Sequence, residues 1–515
     1  TFARQKKLGV VPADCELTKR PAEIPAWDSF SPGMQRVLAR QMEIYAGFLE
    51  YADYEAGRLL DTIAKLEALD NTLVYYIIGD NGASGEGTPQ GTFSEMIAFN
   101  GASALETDAF LTAHLDKFGT PEAYNHYAVG WAHAMDTPYQ WTKQVASHWG
   151  GTRNGTIVRW PRGIKAKGEI RHQFHHVIDV APTVLDAASL PEPVMVEGVA
   201  QVPLQGVTMR YSFDDANAPE RRETQYFEMF GNRGIYHKGW TAVTRHRTPW
   251  ILTGSGPAFD DDVWELYDTT KDWSQAHDLA KQMPDKLHEL QRLFIIEATR
   301  YNVLPLDDRA VERANSDMAG RPVLIRGTKQ LLAAGMGGLN ENGVLNLKNK
   351  SYSITAQLVA PTTTPPHGVI LSQGGRYGGW GLYAKSGVLT YRYNFLGLES
   401  YVVTSTRPIP AGEHQVRIEF AYDGGGLGKG GTVTLYIDGD AAGSGRVEQS
   451  MAMVYTADET SDVGRKFGTP ISEDMPLAES TFTGTIKAIE INIGPADHDH
   501  LVKEEDVVAI LMAHQ

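Results

Sequence analysis

Three linked signals between residues 34 and 82 constrain the fold more than anything else in the chain. From Met34 to about Leu69, apolar groups recur at three- and four-residue steps, at Met42, Tyr45, Ala46, Leu49, Ala52, Ala56, Leu59, Leu60 and Ile63. That spacing predicts an amphipathic helix. Asp70-Asn71 is a turn signal, and Thr72-Leu-Val-Tyr-Tyr-Ile-Ile78 follows as a continuous apolar run rich in β-branched and aromatic residues. Such a run predicts a strand buried on both faces of a mixed, mostly parallel sheet. Gly79-Asp-Asn-Gly82 closes it as a tight turn. Helix, turn, buried strand and Gly-rich turn together predict an α/β domain with helices flanking the sheet.

Beyond this block, residues 83–148 are polar and aromatic with weak periodicity. A stretch of that length without clear elements reads as a lid or binding loop. Gly155-Thr-Ile-Val-Arg-Trp160, a helix near Val177–Leu190, short strands within 225–268 and a helix near Pro284–Tyr301 follow. After residue 305 the character changes. Residues 306–340 are charged and then Gly-rich, a linker pattern; from Ser351 onward, short alternating runs are separated by hairpin signals such as Lys385-Ser-Gly387 and Asp438-Gly439. This predicts an all-β sandwich. The expected division is therefore 1–305, a linker over 306–340, and a sandwich over 341–515.

A chain of 515 residues is too long for one ordinary core, which agrees with this division. Its formal net charge of −16 argues against nucleic acid or an anionic membrane as partner. An anionic small molecule stays open, because a site can be locally positive in an acidic protein. No apolar run approaches a membrane span. The single cysteine, Cys15, rules out an internal disulfide framework and argues against a Cys-based zinc site. The first residues, Thr1-Phe-Ala-Arg-Gln-Lys-Lys7, precede no signal-peptide core, so a missing true start is expected and the compartment cannot be read.

The chemistry centres on Asp80 and Asn81, directly after the predicted strand. Ligands of open α/β sheets gather beyond the C-terminal strand ends. A carboxylate beside an amide oxygen offers two hard donors, suited to Ca²⁺ or Mg²⁺. An ordinary tight turn accounts for the same tetrapeptide equally well. Lys143 is a candidate for holding an anionic group through its compact ammonium, with a solvated surface lysine as the plain alternative. His148 is a candidate hydrogen-bond donor or proton shuttle, with neutral packing as the alternative. His133 and the pair His175-His176 read more simply as structural, as does Arg153, expected to pair with a carboxylate.

Several of these blocks together resemble the type I, formylglycine-dependent arylsulfatase family, closest to its larger bacterial members. Leu73-Val-Tyr-Tyr-Ile-Ile-Gly-Asp-Asn-Gly82 is similar to the family's strand and metal turn, and Asp53-Tyr-Glu-Ala-Gly-Arg-Leu-Leu60 to the helix before it. Gly150-Gly-Thr-Arg153 with Val158-Arg-Trp-Pro161 resembles its Gly-Gly-x-Arg block. His176-Val-Ile-Asp-Val-Ala-Pro-Thr-Val-Leu185, Trp264-Glu-Leu-Tyr-Asp268 and Asp278-Leu-Ala280 resemble its later elements. The ordered matches cover about residues 34–300. The resemblance implies an alkaline-phosphatase-like sulfatase fold, here incomplete, and Ca²⁺, ahead of Mg²⁺, held by Asp80 and Asn81. It further implies sulfate contacted by Lys143 and hydrolysis of small-molecule or carbohydrate sulfate esters, aryl sulfates above all.

The family's nucleophile is a formylglycine made within Cys/Ser-x-Pro-x-Arg. Cys15 is followed by Leu17 and Lys19 where Pro and Arg are required, and Asn217-Ala-Pro-Glu-Arg221 has no usable nucleophile. The formylglycine is therefore expected outside this chain, in a missing N-terminal segment or a separate chain that completes the site, and this chain alone is expected to be inactive. Two other functions stay open, a phosphonate monoester or phosphodiester hydrolase of the same superfamily and a non-catalytic sulfatase-like binding protein. The C-terminal region resembles a laminin-G or concanavalin-like jelly roll, in which Tyr377, Trp380, Tyr391 and Tyr393 form either a sugar platform or sandwich core.

Overall fold

A computed structural model of the chain describes residues 1–79, 81–251 and 256–494. They fall into two compact units. Thr1–Gly91 with His126–Asp308 forms the first, and Thr92–Asn125 with the chain from Arg309 onward forms the second. The division thus differs from the expected one: residues 92–125 go with the second unit, and the stretch read as linker contains a strand, Lys329–Leu332.

In the first unit the predicted helix forms over Pro32–Lys65. The Ser31 hydroxyl accepts the Met34 amide at 3.2 Å, and Pro32 takes the first helical position, where its missing N–H costs nothing. Burial stops early. Met34, Val37, Leu38 and Gln41 are buried, whereas Phe48, Leu49, Tyr51, Tyr54 and Leu59 stay exposed. Periodicity sets the helix, but it does not say how far a neighbour extends along it.

Val74–Ile77 is the predicted strand. It pairs antiparallel with Thr156–Arg159, Val74 opposite Arg159 and Ile77 opposite Thr156, and it is half-buried. All strand pairings among the described residues are antiparallel, so the mostly parallel sheet that was expected is not among them. A continuous apolar run reports an affinity for burial; it does not encode the direction of the neighbouring strand.

A four-stranded meander follows, built from Thr224–Met229, Asn232–His237, Trp240–Thr244 and Trp264–Asp268 in that order. Lys238 and Gly239 both have positive φ, 48° and 82°, as a tight two-residue hairpin demands. Helix Pro284–Arg300 covers the meander, packing Leu290, Phe294 and Ala298 against Ile235, Ala242 and Leu266.

The second unit is dominated by a six-stranded and a five-stranded antiparallel sheet. One apolar core is shared by residues of both, among them Ile354, Val416 and Ile489 of the first and Ile370, Leu382 and Tyr391 of the second. Met96 and Ile97 join that core from the 92–125 segment. Glu106 secures the segment's start, accepting the Thr92 hydroxyl at 2.6 Å and the Phe93 and Ser94 amides at 2.5 and 3.3 Å. Burial pushes its carboxyl up to about 7. Trp380, Tyr391 and Tyr393 are fully buried core groups and offer no platform; Tyr377 is half-buried.

Candidate functional site

Asp80 lies outside the described residues. Asn81 is half-buried between Gly79 and Gly82, whose φ values are both 75°. Gly82 is required by approach as well as by φ. A Cβ there would overlap the Gly150 carbonyl oxygen and crowd the Lys143 amide. The Gly82 N–H donates to Asn154 Oδ1 at 3.2 Å. Ala83 continues the seam, donating to Asp136 Oδ1 at 2.9 Å and accepting the Lys143 amide at 3.1 Å. The Ser84 amide donates to the Tyr127 hydroxyl at 3.1 Å. The turn is thereby joined to the segments that carry Lys143 and the Gly-Gly-x-Arg block.

Lys143 points its ammonium at Glu86, with Nζ 3.2 Å from Oε2. Glu86 also accepts the Gln144 side-chain amide at 3.1 Å and the Ser84 hydroxyl at 2.8 Å. Sequence reading missed Glu86. The available signal was a carboxylate six residues beyond Asp80 within a Gly-rich loop, which by itself resembles a solvated loop acid. Asp136 was missed as well. One of its oxygens holds the Ala83 amide, and Oδ2 is buried without a hydrogen-bond partner among the described residues. Burial pushes this carboxyl up to about 8.

His148 is placed differently from Lys143. It is fully buried, with Nδ1 2.8 Å from the Ser147 hydroxyl and Nε2 3.3 Å from Glu265 Oε2. Both ring nitrogens therefore have protein partners in place. Burial raises the Glu265 carboxyl, but the interactions with His148, Tyr267 and Arg245 together outweigh it and leave Glu265 below its ordinary value.

The Gly-Gly pair has a steric cause. A Cβ on Gly150 would overlap the carbonyls of Gln140 and Trp141, and one on Gly151 that of Val145. Among the described residues Arg153 has no carboxylate partner of the kind expected. Its guanidinium lies 3.7 Å from the Trp273 ring centroid and 5.7 Å from those of Tyr139 and Trp149, a cation–π cage. His176 caps the turn Val177–Asp179, accepting the Ile178 amide at 3.3 Å; burial, aided by Arg222, pushes its imidazole down to about 4. Asp179 itself is buried in a bidentate pair with Arg222 (Nε to both oxygens, 2.9 and 2.8 Å).

Ca²⁺ takes six to eight oxygen ligands. Asp80 and Asn81 offer two donor side chains, and among the described residues no group of three or more His, Cys, Asp or Glu could hold a metal ion. These residues do not make a complete Ca²⁺ site by themselves. Nor is any described helix long and apolar enough to cross a membrane.

Residues 11–190 match the sulfatase family, and residues 141–295 match the C-terminal region of N-sulphoglucosamine sulphohydrolase. These matched segments are similar to sulfatases. An uncharacterized sulfatase of Schizosaccharomyces pombe is 28% identical over 310 residues, 59% of this chain and 52% of that protein. An arylsulfatase of Klebsiella aerogenes is 27% identical over 230 residues, 45% of this chain and 46% of that protein. The chain spans about half the length of the curated relatives it matches. A solved structure described under metabolism of multiple glycosaminoglycans by Bacteroides thetaiotaomicron aligns with 18% identity over 48% of this chain and 43% of that one. Its TM-score of 0.30 carries no structural argument.

Proposed function

We propose that the chain is part of a sulfatase that hydrolyses sulfate esters, aryl sulfates in particular, by a formylglycine mechanism whose nucleophile comes from outside these residues. The observation that carries this reading is the seam between the Gly79–Gly82 turn and Lys143. It brings an ammonium to the loop that carries the two hard oxygen donors. In this reading Asp80 and Asn81 give two donors to a Ca²⁺ shell completed elsewhere, and Lys143 exchanges Glu86 for a sulfate oxygen. An ammonium directed at a transferring oxyanion stabilises the charge that develops there. Gln144 shares the Glu86 carboxylate and keeps the loop in place when the ammonium leaves.

The reading also gives a use for exposed apolar residues of the first unit, Phe48, Tyr51, Tyr54 and Leu59 on the helix and Ile77, Ile78 and Ile157 at the strand pair. Exposed large apolar groups, where they gather, mark surfaces that pack against something. The segment or chain that brings the nucleophile would cover them.

The test is to express the protein together with its preceding coding sequence and assay 4-nitrophenyl sulfate beside 4-nitrophenyl phenylphosphonate, with and without Ca²⁺. Sulfate turnover that needs Ca²⁺ and falls about a hundredfold or more in Lys143→Ala is expected. Preferential phosphonate turnover would assign the other hydrolase activity. A preceding sequence without Cys/Ser-x-Pro-x-Arg would overturn the enzyme reading.

A further inference from the structure

A cavity lies wholly within the second unit. It encloses about 230 Å³ and is lined by Met96, Tyr124, Tyr377, Tyr455, Asp458 and Glu459, among others. Among the described residues its charged lining groups are the two carboxylates; the rest is tyrosine, one thioether, two threonines and two glycines.

We propose that this cavity binds a small organic ammonium ion, seated against the tyrosine walls with its charge toward Asp458 and Glu459.

The aromatic wall is suited to a cation. Tyr124 and Tyr377 stack with centroids 4.9 Å apart and planes 17° from parallel. Both phenols act as donors, Tyr124 to the Asp458 carboxylate and Tyr377 to the Pro121 carbonyl at 2.9 Å. Donating a hydroxyl proton to an anion or carbonyl shifts electron density into the ring. A cation is attracted to that negative face. Tyr455 already accepts one cation in this way, with the Lys348 ammonium 4.8 Å from its centroid.

The charge balance points the same way. The cations near the cavity are committed elsewhere. Lys466 pairs with Asp462 at 3.1 Å; Arg376 donates to the Pro121 carbonyl at 3.0 Å and faces Glu473 at 3.7 Å; Lys348 pairs with Glu341. Glu459 takes the Thr469 amide at 2.8 Å and the Thr469 hydroxyl. Burial still pushes its carboxyl above the ordinary value. Glu459 is half-buried and Asp458 exposed, and Lys466, whose charge acts on Glu459, is itself paired with Asp462, so an ammonium ion seated here adds a favourable charge partner. After accepting Tyr124, Asp458 retains acceptor capacity, since a carboxylate takes about four hydrogen bonds.

Other ligand classes fit less well. An anion meets two carboxylates and no cation. A neutral sugar needs several directed polar partners, yet the Thr456 hydroxyl already accepts the Asp458 and Glu459 amides at 3.3 and 2.8 Å and the Thr469 hydroxyl is spent on Glu459.

The test uses the full chain and calorimetric titration with choline, its neutral isostere 3,3-dimethylbutan-1-ol, and methyl β-D-glucopyranoside. Choline is expected to bind saturably, with the isostere at least about tenfold weaker because it lacks only the charge. Asp458→Asn, which keeps the shape and the acceptor for Tyr124, should weaken choline several-fold with an unchanged melting temperature. Tyr377→Leu should do the same through the ring. Equal binding of choline and the isostere would overturn the proposal. So would saturable glucoside binding without choline binding, or no choline binding up to about 50 mM.

Discussion

Lys143 Nζ stands 3.2 Å from Glu86 Oε2, so a lysine whose amide is bonded to Ala83, next to the Gly79–Gly82 turn, is held by a carboxylate of the same loop. An anion that binds Lys143 must displace Glu86. Glu86→Gln removes the competing charge and keeps an acceptor for Gln144. Inorganic sulfate should then bind roughly two- to fivefold tighter, the scale of a partly exposed ion pair. Titration of sulfate into both proteins measures it; unchanged or weaker binding would show that Glu86 does not compete.

Gly82 should tolerate no side chain. Gly82→Ala meets both a φ of 75° and the Gly150 carbonyl, and should destabilise the first unit by about 2–4 kcal/mol. Gly9 has a similar φ, 74°, with nothing within 4 Å of where a Cβ would stand, so Gly9→Ala should cost only about 1 kcal/mol. Denaturant midpoints of the pair separate steric approach from backbone preference.

The Asp179–Arg222 pair makes a prediction with a pH sign. Burial alone would raise the Asp179 carboxyl, but Arg222 and the Val207 and His176 amides outweigh it and hold it below its ordinary value of 3.8. Its contribution is present above the unfolded value and is lost as pH falls through the folded one. Arg222→Met leaves a buried carboxylate without its partner and should cost about 3–5 kcal/mol at pH 7. The gap in melting temperature between wild type and variant should narrow below about pH 4. A gap independent of pH would refute the electrostatic account.

Asp136 carries the opposite sign. Its carboxyl rises from 3.8 to about 8, chiefly by burial. The folded chain therefore keeps a proton that the unfolded chain has released, and stability falls as pH rises between those values. Asp136→Asn keeps the acceptor for Ala83 and removes the titration. Its melting temperature should exceed that of wild type at pH 8 by roughly 2–4 °C for each kcal/mol recovered, with little difference near pH 4.

What was legible in the sequence followed from local physics. The Pro32–Lys65 helix came from spacing and its Ser-Pro start, and the Val74–Ile77 strand from its apolar run. The Lys385 and Asp438 hairpins came from their turn residues. Strand direction was not legible, because Val74–Ile77 carries no mark of which way Thr156–Arg159 runs beside it. The loop contacts around Lys143 were legible only in part. The Gly-Gly pair and Lys143 stood out by motif, whereas Glu86 and Asp136 matter through partners 57 and 53 residues away along the chain. Arg153 was read as a salt-bridge partner because aromatic cages assemble only in three dimensions.

The second unit is discontinuous, and this has a consequence for synthesis. Residues 92–125 leave the ribosome before 126–308, yet their packing partners begin at Arg309. At cellular elongation rates the wait is roughly ten to forty seconds. Met96 and Ile97, buried in the finished core, have no such cover during that interval. Whatever guards nascent apolar segments has its longest task on this chain there, and a stop placed at Asp308 would release a polypeptide in which the wait never ends.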